Sequence, residues 1–106
     1  MKVNFKETVE ILDLEEKLGI ELIVSERSNA FLPRFHASFP RLLLVTGDIW
    51  KDAWGDGDTI DEAIKDYAQT ISGSRVSIAT SWVTRKEQIL PRVVHTRKCW
   101  PNKGRN

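Results

Sequence analysis

The sequence predicts a single small α+β domain: an antiparallel sheet of three to five strands with helices packed on one face. Three observations carry this. Short runs rich in β-branched and aromatic residues follow one another between residues 19 and 51. One amphipathic helix, residues 60–72, has start and stop signals at both ends. A further alternating run, RVSIATSWV, follows that helix. The 106 residues suit one domain, and 41% apolar against 29% charged residues is the balance of a folded globular chain.

Each element has its own warrant. Asn4 is placed to cap a helix, with Glu7 at the capping-box position and Gly19 as a stop. Between them the apolar residues form two sets, Phe5/Val9/Leu12 and Ile11/Leu14/Leu18. Either the helix is covered on two sides, or only DLEEKLG is helical and VEILDL, which alternates imperfectly, is strand-like. GIELIVSE (19–26) reads as a strand and RSNAFLP (27–33) as a turn or loop. RFHASFP (34–40) alternates cleanly, and its flanking prolines suggest an edge or short strand. RLLLVTG (41–47) is nearly continuous and apolar, as for a strand buried on both faces. DIWKDAWGDGD (48–58) turns near Asp48, continues as a short strand, and offers Asp56-Gly57 as a second turn.

The helix that follows is the best specified element. Thr59 caps it, Glu62 completes a capping box, and Asp61 and Glu62 suit the positive end of its dipole. Ile60, Ala63, Ile64, Tyr67, Ala68 and Ile71 form one apolar stripe, Asp61 and Lys65 make an i,i+4 pair, and Gly73 ends the run. In RVSIATSWV, Val76, Ile78, Thr80 and Trp82 share a face. EQILPRVV adds a strand interrupted by Pro91. The domain is expected to span residues 1–94, with 95–106 as a basic, flexible tail.

Composition narrows the function classes. Cys99 is the only cysteine, so neither an internal disulfide nor a Cys-rich zinc site is expected. No apolar run approaches the ~20 residues of a membrane span. MKVNFKETVEILD has acids early and no apolar core of a secretory signal, so a cytoplasmic location is expected. The net charge of +1 hides an asymmetry: residues 1–83 hold 9 Lys/Arg against 14 Asp/Glu, and residues 84–106 hold 7 against 1. The acids Asp48, Asp52, Asp56, Asp58, Asp61 and Glu62 lack the ligand order of a calcium loop, and turn or helix-start roles account for them better. Neither His36 nor His95 has a local partner that suggests a catalytic triad. GDGDT places acids where a phosphate loop would need bare amides. No cofactor, metal site or enzymatic activity is expected.

Two stretches, FHASFP and GDGDTIDEAIKDYAQTI, resemble the HicB-like family of small α/β domains, which pair a strand ending in Phe-Pro with a Gly-Asp-Thr turn and a helix carrying Glu-Ala. The resemblance covers residues 34–73. The stretch from Trp54 to Pro91 also looks like small phage proteins. The resemblance implies a sheet packed on helices, related in shape to double-stranded-RNA-binding domains, and an antitoxin-like role in which the domain occludes a partner protein. The loop motif common in the family is replaced here by RLLLVTGDIW, and no helix-turn-helix follows.

The leading expectation is therefore a non-catalytic protein-binding module, a phage accessory protein that inhibits or recruits a host protein in the bacterial cytoplasm. Trp50 and Trp54, which flank a turn among charged residues, are its candidate contacts; each taken alone reads more readily as a core filler, and an exposed pair would favour an interface. An edge strand that pairs with its own copy would give a homodimer. The alternative is nucleic-acid binding through Arg85, Lys86, Arg92, Arg97, Lys98, Trp100, Lys103 and Arg105, where cations meet phosphates and an indole stacks on a base. No membrane partner is expected.

Overall fold

The computed structural model describes residues 8–28, 33–79 and 85–96. The elements in chain order are β1 (Thr8–Glu10), α1 (Ile11–Leu18), β2 (Ile23–Glu26), β3 (Phe35–Ser38), β4 (Leu42–Thr46), β5 (Ile49–Lys51), β6 (Gly55–Gly57), α2 (Ile60–Ile71), β7 (Arg75–Ala79), β8 (Arg85–Ile89) and β9 (Arg92–Val94). Among the described residues the strands form three groups: β2-β3-β6 and β5-β4-β7-β8, both antiparallel, and a parallel β1-β9 pair. The class is α+β, but the strands do not form one sheet.

The break between the antiparallel sheets has a local cause. β3-β4 and β5-β6 are the two arms of one long hairpin. From Ala37 to Leu44 the first arm advances seven residues, while its partner runs back only four, from Gly55 to Lys51. The three extra residues, Phe39-Pro40-Arg41, bulge out and bend the arm. Proline has no N–H to give a ladder, so the ladder stops there. A local turn bond closes the bulge, from the Leu42 N–H to the Phe39 carbonyl (3.1 Å), and two bonds tie it to its surroundings: the Phe39 N–H donates to the Tyr67 hydroxyl (3.1 Å) and the Arg41 carbonyl accepts from Ala79 (3.0 Å). Burial pushes the Tyr67 hydroxyl up to about 12, partly offset by the Phe39 hydrogen bond. At its far end the hairpin turns through Gly47-Asp48, with Gly47 at φ 61°, the positive φ that a two-residue turn with Gly first requires.

Helix α2 packs on the inner face of β2-β3-β6 and forms as its signals predict. Thr59 Oγ1 accepts from the Glu62 N–H at 3.1 Å, and Ala63, Ile64, Tyr67, Ala68 and Ile71 are fully buried. Two readings need correction. Asp56-Gly57 is not a turn; it lies inside β6, and positive φ belongs to Gly19, Gly47 and Gly73. Gly55 and Gly57 are required because β6 presses on the helix: a Cβ on Gly55 would overlap the Tyr67 N and the Ala63 carbonyl oxygen, and one on Gly57 would overlap Ala63 N and the Glu62 side chain. The FHAS strand is short, four residues, as one of its two readings has it, but it is not an edge. It is the centre of its sheet, because Pro33 and Pro40 fall just outside it.

The N-terminal segment is strand plus helix, the second of the two readings of that region. Glu10 caps α1 and Gly19 ends it at φ 68°; Asn4 and Glu7 lie outside the described residues. The single strand interrupted by Pro91 is two strands, β8 and β9, in different sheets. β7 is buried on both faces at its centre, with Val76, Ser77 and Ile78 all covered. Leu42 and Val45 of β4 are buried, while Leu43 and Leu44 are half-buried. The core runs from Ile11, Leu14 and Leu22 through Phe39, Ile64 and Tyr67 to Leu90 and Val93. No helix among the described residues is long and apolar enough to cross a membrane.

Candidate functional site

With α2 on one face of β2-β3-β6, the other face is left open. Directly opposed residues in an antiparallel ladder point the same way. The pairs Ile23–Ser38, Ser25–His36 and His36–Asp56 therefore put Ile23, Ser25, His36, Ser38 and Asp56 together, and their neighbours Val24, Ala37 and Gly55 turn inward to the helix. Trp54 immediately precedes β6 and joins this outer face: its ring lies against His36, with centroids 5.6 Å apart and planes at 33°. Trp54 remains 48% exposed and Ile23 38%.

Arg27 organises the face beneath Trp54. One terminal nitrogen lies 2.7 Å from Asp56 Oδ1 and donates to the Pro33 carbonyl at 3.3 Å; the other lies 2.7 Å from His36 Nδ1. The Asp56 contact is a charge pairing without an aligned hydrogen bond, so this buried oxygen has a counter-ion but no donor aimed at it. Arginine has only donors, so His36 Nδ1 accepts and the ring proton sits on Nε2. This matters chemically. Ser25, His36 and Asp56 lie side by side on three strands and superficially suggest a hydrolytic triad. A triad needs Nδ1–H donating to the carboxylate and a bare Nε2 as base. Here Nδ1 is 3.7 Å from Asp56 and already takes a proton from Arg27, which leaves the opposite tautomer.

Trp50, the other exposed tryptophan (51%), lies on the second sheet. It opposes Val45, which shares a face with Leu43, Ser77 and Arg85. The Arg85 guanidinium sits 5.3 Å from the Trp50 ring centroid, and its Nε donates to Ser77 Oγ at 2.8 Å. Trp50 and Trp54 thus belong to separate surfaces, each steadied by a basic or aromatic neighbour.

The basic set does not converge among the described residues. Arg85 is engaged with Trp50 and Ser77. Lys86 follows it on a strand and so points to the opposite face. Arg92 is exposed on β9, in a different sheet. Arg97, Lys98, Trp100, Lys103 and Arg105 lie outside the described residues, as do Thr80, Trp82 and Cys99.

The sequence reading missed one cluster altogether. His95 was placed in the tail, yet its side chain is only 3% exposed, and the packed body reaches Thr96. Its Nδ1 lies 3.0 Å from Glu10 Oε2 and its Nε2 2.8 Å from Asp61 Oδ1. Both contacts are hydrogen bonds only when both ring nitrogens carry protons. Glu10 Oε1 also accepts from the Thr96 N–H (2.6 Å) and hydroxyl (2.8 Å). Burial pushes the Glu10 carboxyl up, but hydrogen bonds from Thr96, His95 and Leu12 outweigh it and hold the group down at about 2. The cluster ties β1, the start of α2 and the segment after β9 together. The acids gathered in sequence are dispersed in space: Asp56 faces Arg27, Asp61 faces His95 and Glu62 accepts from the Asp58 N–H. Among the described residues no group of three or more His, Cys, Asp or Glu is arranged to hold a metal ion.

Comparison of the chain with protein-family models, with characterised proteins and with solved structures gives no match.

Proposed function

We propose that this domain is a non-catalytic protein-binding module that takes its partner on the outer face of β2-β3-β6, with Trp54 as the anchor and Trp50 as a second, separate contact. One observation carries the reading: Trp54 is half-exposed yet held against His36, which Arg27 in turn ties to Asp56. Tryptophan and arginine are the residues most often found at binding hot spots, and a ring already held in place loses little entropy on association. The His36 tautomer argues for recognition over hydrolysis at the same residues. The resemblance to HicB-like domains fits this use of the fold, since β2, β3, β6 and α2 make three antiparallel strands backed by a helix. On this reading the protein is a phage accessory factor that inhibits or recruits a host protein in the bacterial cytoplasm.

The test is capture from nuclease-treated bacterial lysate with the full chain, Trp54→Ala and Trp50→Ala. All three should unfold with similar midpoints, because both side chains are exposed. A discrete protein held by the full chain through high salt and lost with Trp54→Ala is the expected result, since an apolar contact is little screened by salt. Undiminished capture by Trp54→Ala overturns the assignment. Nucleic acid retained only at low salt, and lost when Arg97, Lys98, Lys103 and Arg105 are all changed to Gln, would favour the tail instead.

A further inference from the structure

A cleft of about 430 Å³ runs along the side of α2, between the helix and β9, and is separate from the outer sheet face. That volume lies within the ~300–1,000 Å³ usual for small-molecule sites. Its helix wall is Lys65, Gln69 and Ser72, spaced i, i+4 and i+7, so they form one stripe toward β9. Its other wall carries Arg92, with His95 and Thr96 at one end. Arg92 and Val94 point away from the core because Val93 between them is buried.

The donors here are uncommitted. Among the described residues, the side chains of Lys65, Gln69 and Arg92 have no hydrogen-bond or ion-pair partner. Ser72 Oγ accepts from the Val93 N–H at 2.9 Å, which leaves its own hydroxyl proton to donate elsewhere. Among the described residues no carboxylate lines the cleft. Glu10 is spent on His95 and Thr96, and Asp61 on His95. Two cations and two neutral donors thus line two walls of one half-open cleft. Arginine's planar fork suits an oxyanion, and a lysine supplies a second charge without fixed direction. A carboxylate would use the fork alone, whereas a tetrahedral group with three terminal oxygens can use donors on both walls.

We propose that this cleft binds a small phosphate monoester. Arg92 and Lys65 hold the phosphate, and Gln69 and Ser72 supply neutral hydrogen bonds. With one arginine and one lysine, the site accommodates a single phosphate group rather than the backbone of a nucleic-acid strand.

The test is an amide NMR titration of the full chain with inorganic phosphate and with AMP, at ionic strength matched by sodium chloride. Saturable shifts confined to residues 65–72 and 92–96 are expected with both probes. Arg92→Gln should weaken binding about tenfold or more, and Lys65→Gln by a smaller factor. Both side chains are exposed, so these variants are expected to fold. Shifts reproduced by chloride alone, shifts that never saturate, or unchanged affinity in Arg92→Gln would overturn the proposal. So would tighter binding of a single-stranded oligonucleotide that lacks a terminal phosphate. Trp54→Ala should leave phosphate binding intact and Arg92→Gln should leave protein capture intact, so the two sites succeed or fail independently.

Discussion

Replacing Glu10 with Gln should remove most of the acid sensitivity of folding between pH 4.5 and 2. The carboxyl's ordinary value of 4.5 falls to about 2 in the folded protein. A depressed folded value means the ionised form is the stabilised one. Its contribution is fully present above pH 4.5, shrinks as pH falls, and is gone below about 2. A fall of this size corresponds to about 3 kcal/mol at neutral pH. That is a large share of the ~5–15 kcal/mol that stabilises an ordinary small domain. The side chain is only 8% exposed, so solvent screens the interaction weakly. The assay is urea unfolding by tryptophan fluorescence at intervals from pH 5.5 to 2.5, in the full chain and in Glu10→Gln. The variant should be less stable at pH 5.5, and most of the gap between the two curves should have closed by pH 2.5. Parallel curves would refute the reasoning, because the acid dependence would then reside in other carboxyls.

Gly55→Ala should destabilise by more than Gly47→Ala. The first forces a Cβ into the backbone of α2, and overpacking of this kind costs about 1–3 kcal/mol or more. The second meets nothing within 4 Å and incurs mainly the strain of positive φ, about 1 kcal/mol; the reverse order in urea unfolding would mean that β6 does not press on the helix. Tyr67→Phe should cost about 1–3 kcal/mol by leaving the Phe39 N–H buried without an acceptor. In the unchanged protein, stability should fall as pH rises from 10 to 12, because the folded phenol stays protonated to about 12 while the unfolded one ionises earlier; Tyr67→Phe should lack that component.

What was legible in the sequence was what local rules decide. The capping residues Thr59 and Glu62, the apolar stripe to Ile71 and the stop at Gly73 act over one or two helical turns, and each does what its residue type favours. The exposure of Trp50 and Trp54 was not among these: each taken alone reads as an ordinary core filler, yet both are about half exposed. The misreadings share a different cause. Asp56-Gly57 has the composition of a turn, but its glycine serves a helix that packs across it, and sequence cannot tell positive φ from close approach. β1 was only half visible because its partner is β9, at the far end of the chain and parallel to it. The Glu10–His95–Asp61 cluster depends on that pairing, so residues 85 apart in sequence had no signal that joined them.

The bulge at Phe39-Pro40-Arg41 connects these structural facts to the proposed binding face. Without it, the β3-β6 ladder would run on into β4-β5, and one twisted sheet would spread its apolar surface along a single layer. With it, the chain bends where Phe39 enters the core, and Tyr67 fastens the bend to α2. Gly55 and Gly57 then let β6 sit directly on the helix, so the inner face needs no contribution from outer side chains. Ile23, Ser25, Ser38 and Trp54 are thereby released from folding duties, since α2, Ala37 and Val24 supply the packing behind them. A surface so decoupled can change its side chains to suit a partner at little cost in stability. On the proposed reading, Trp54→Ala should therefore separate binding from folding, whereas a substitution at Gly55 or Tyr67 should not.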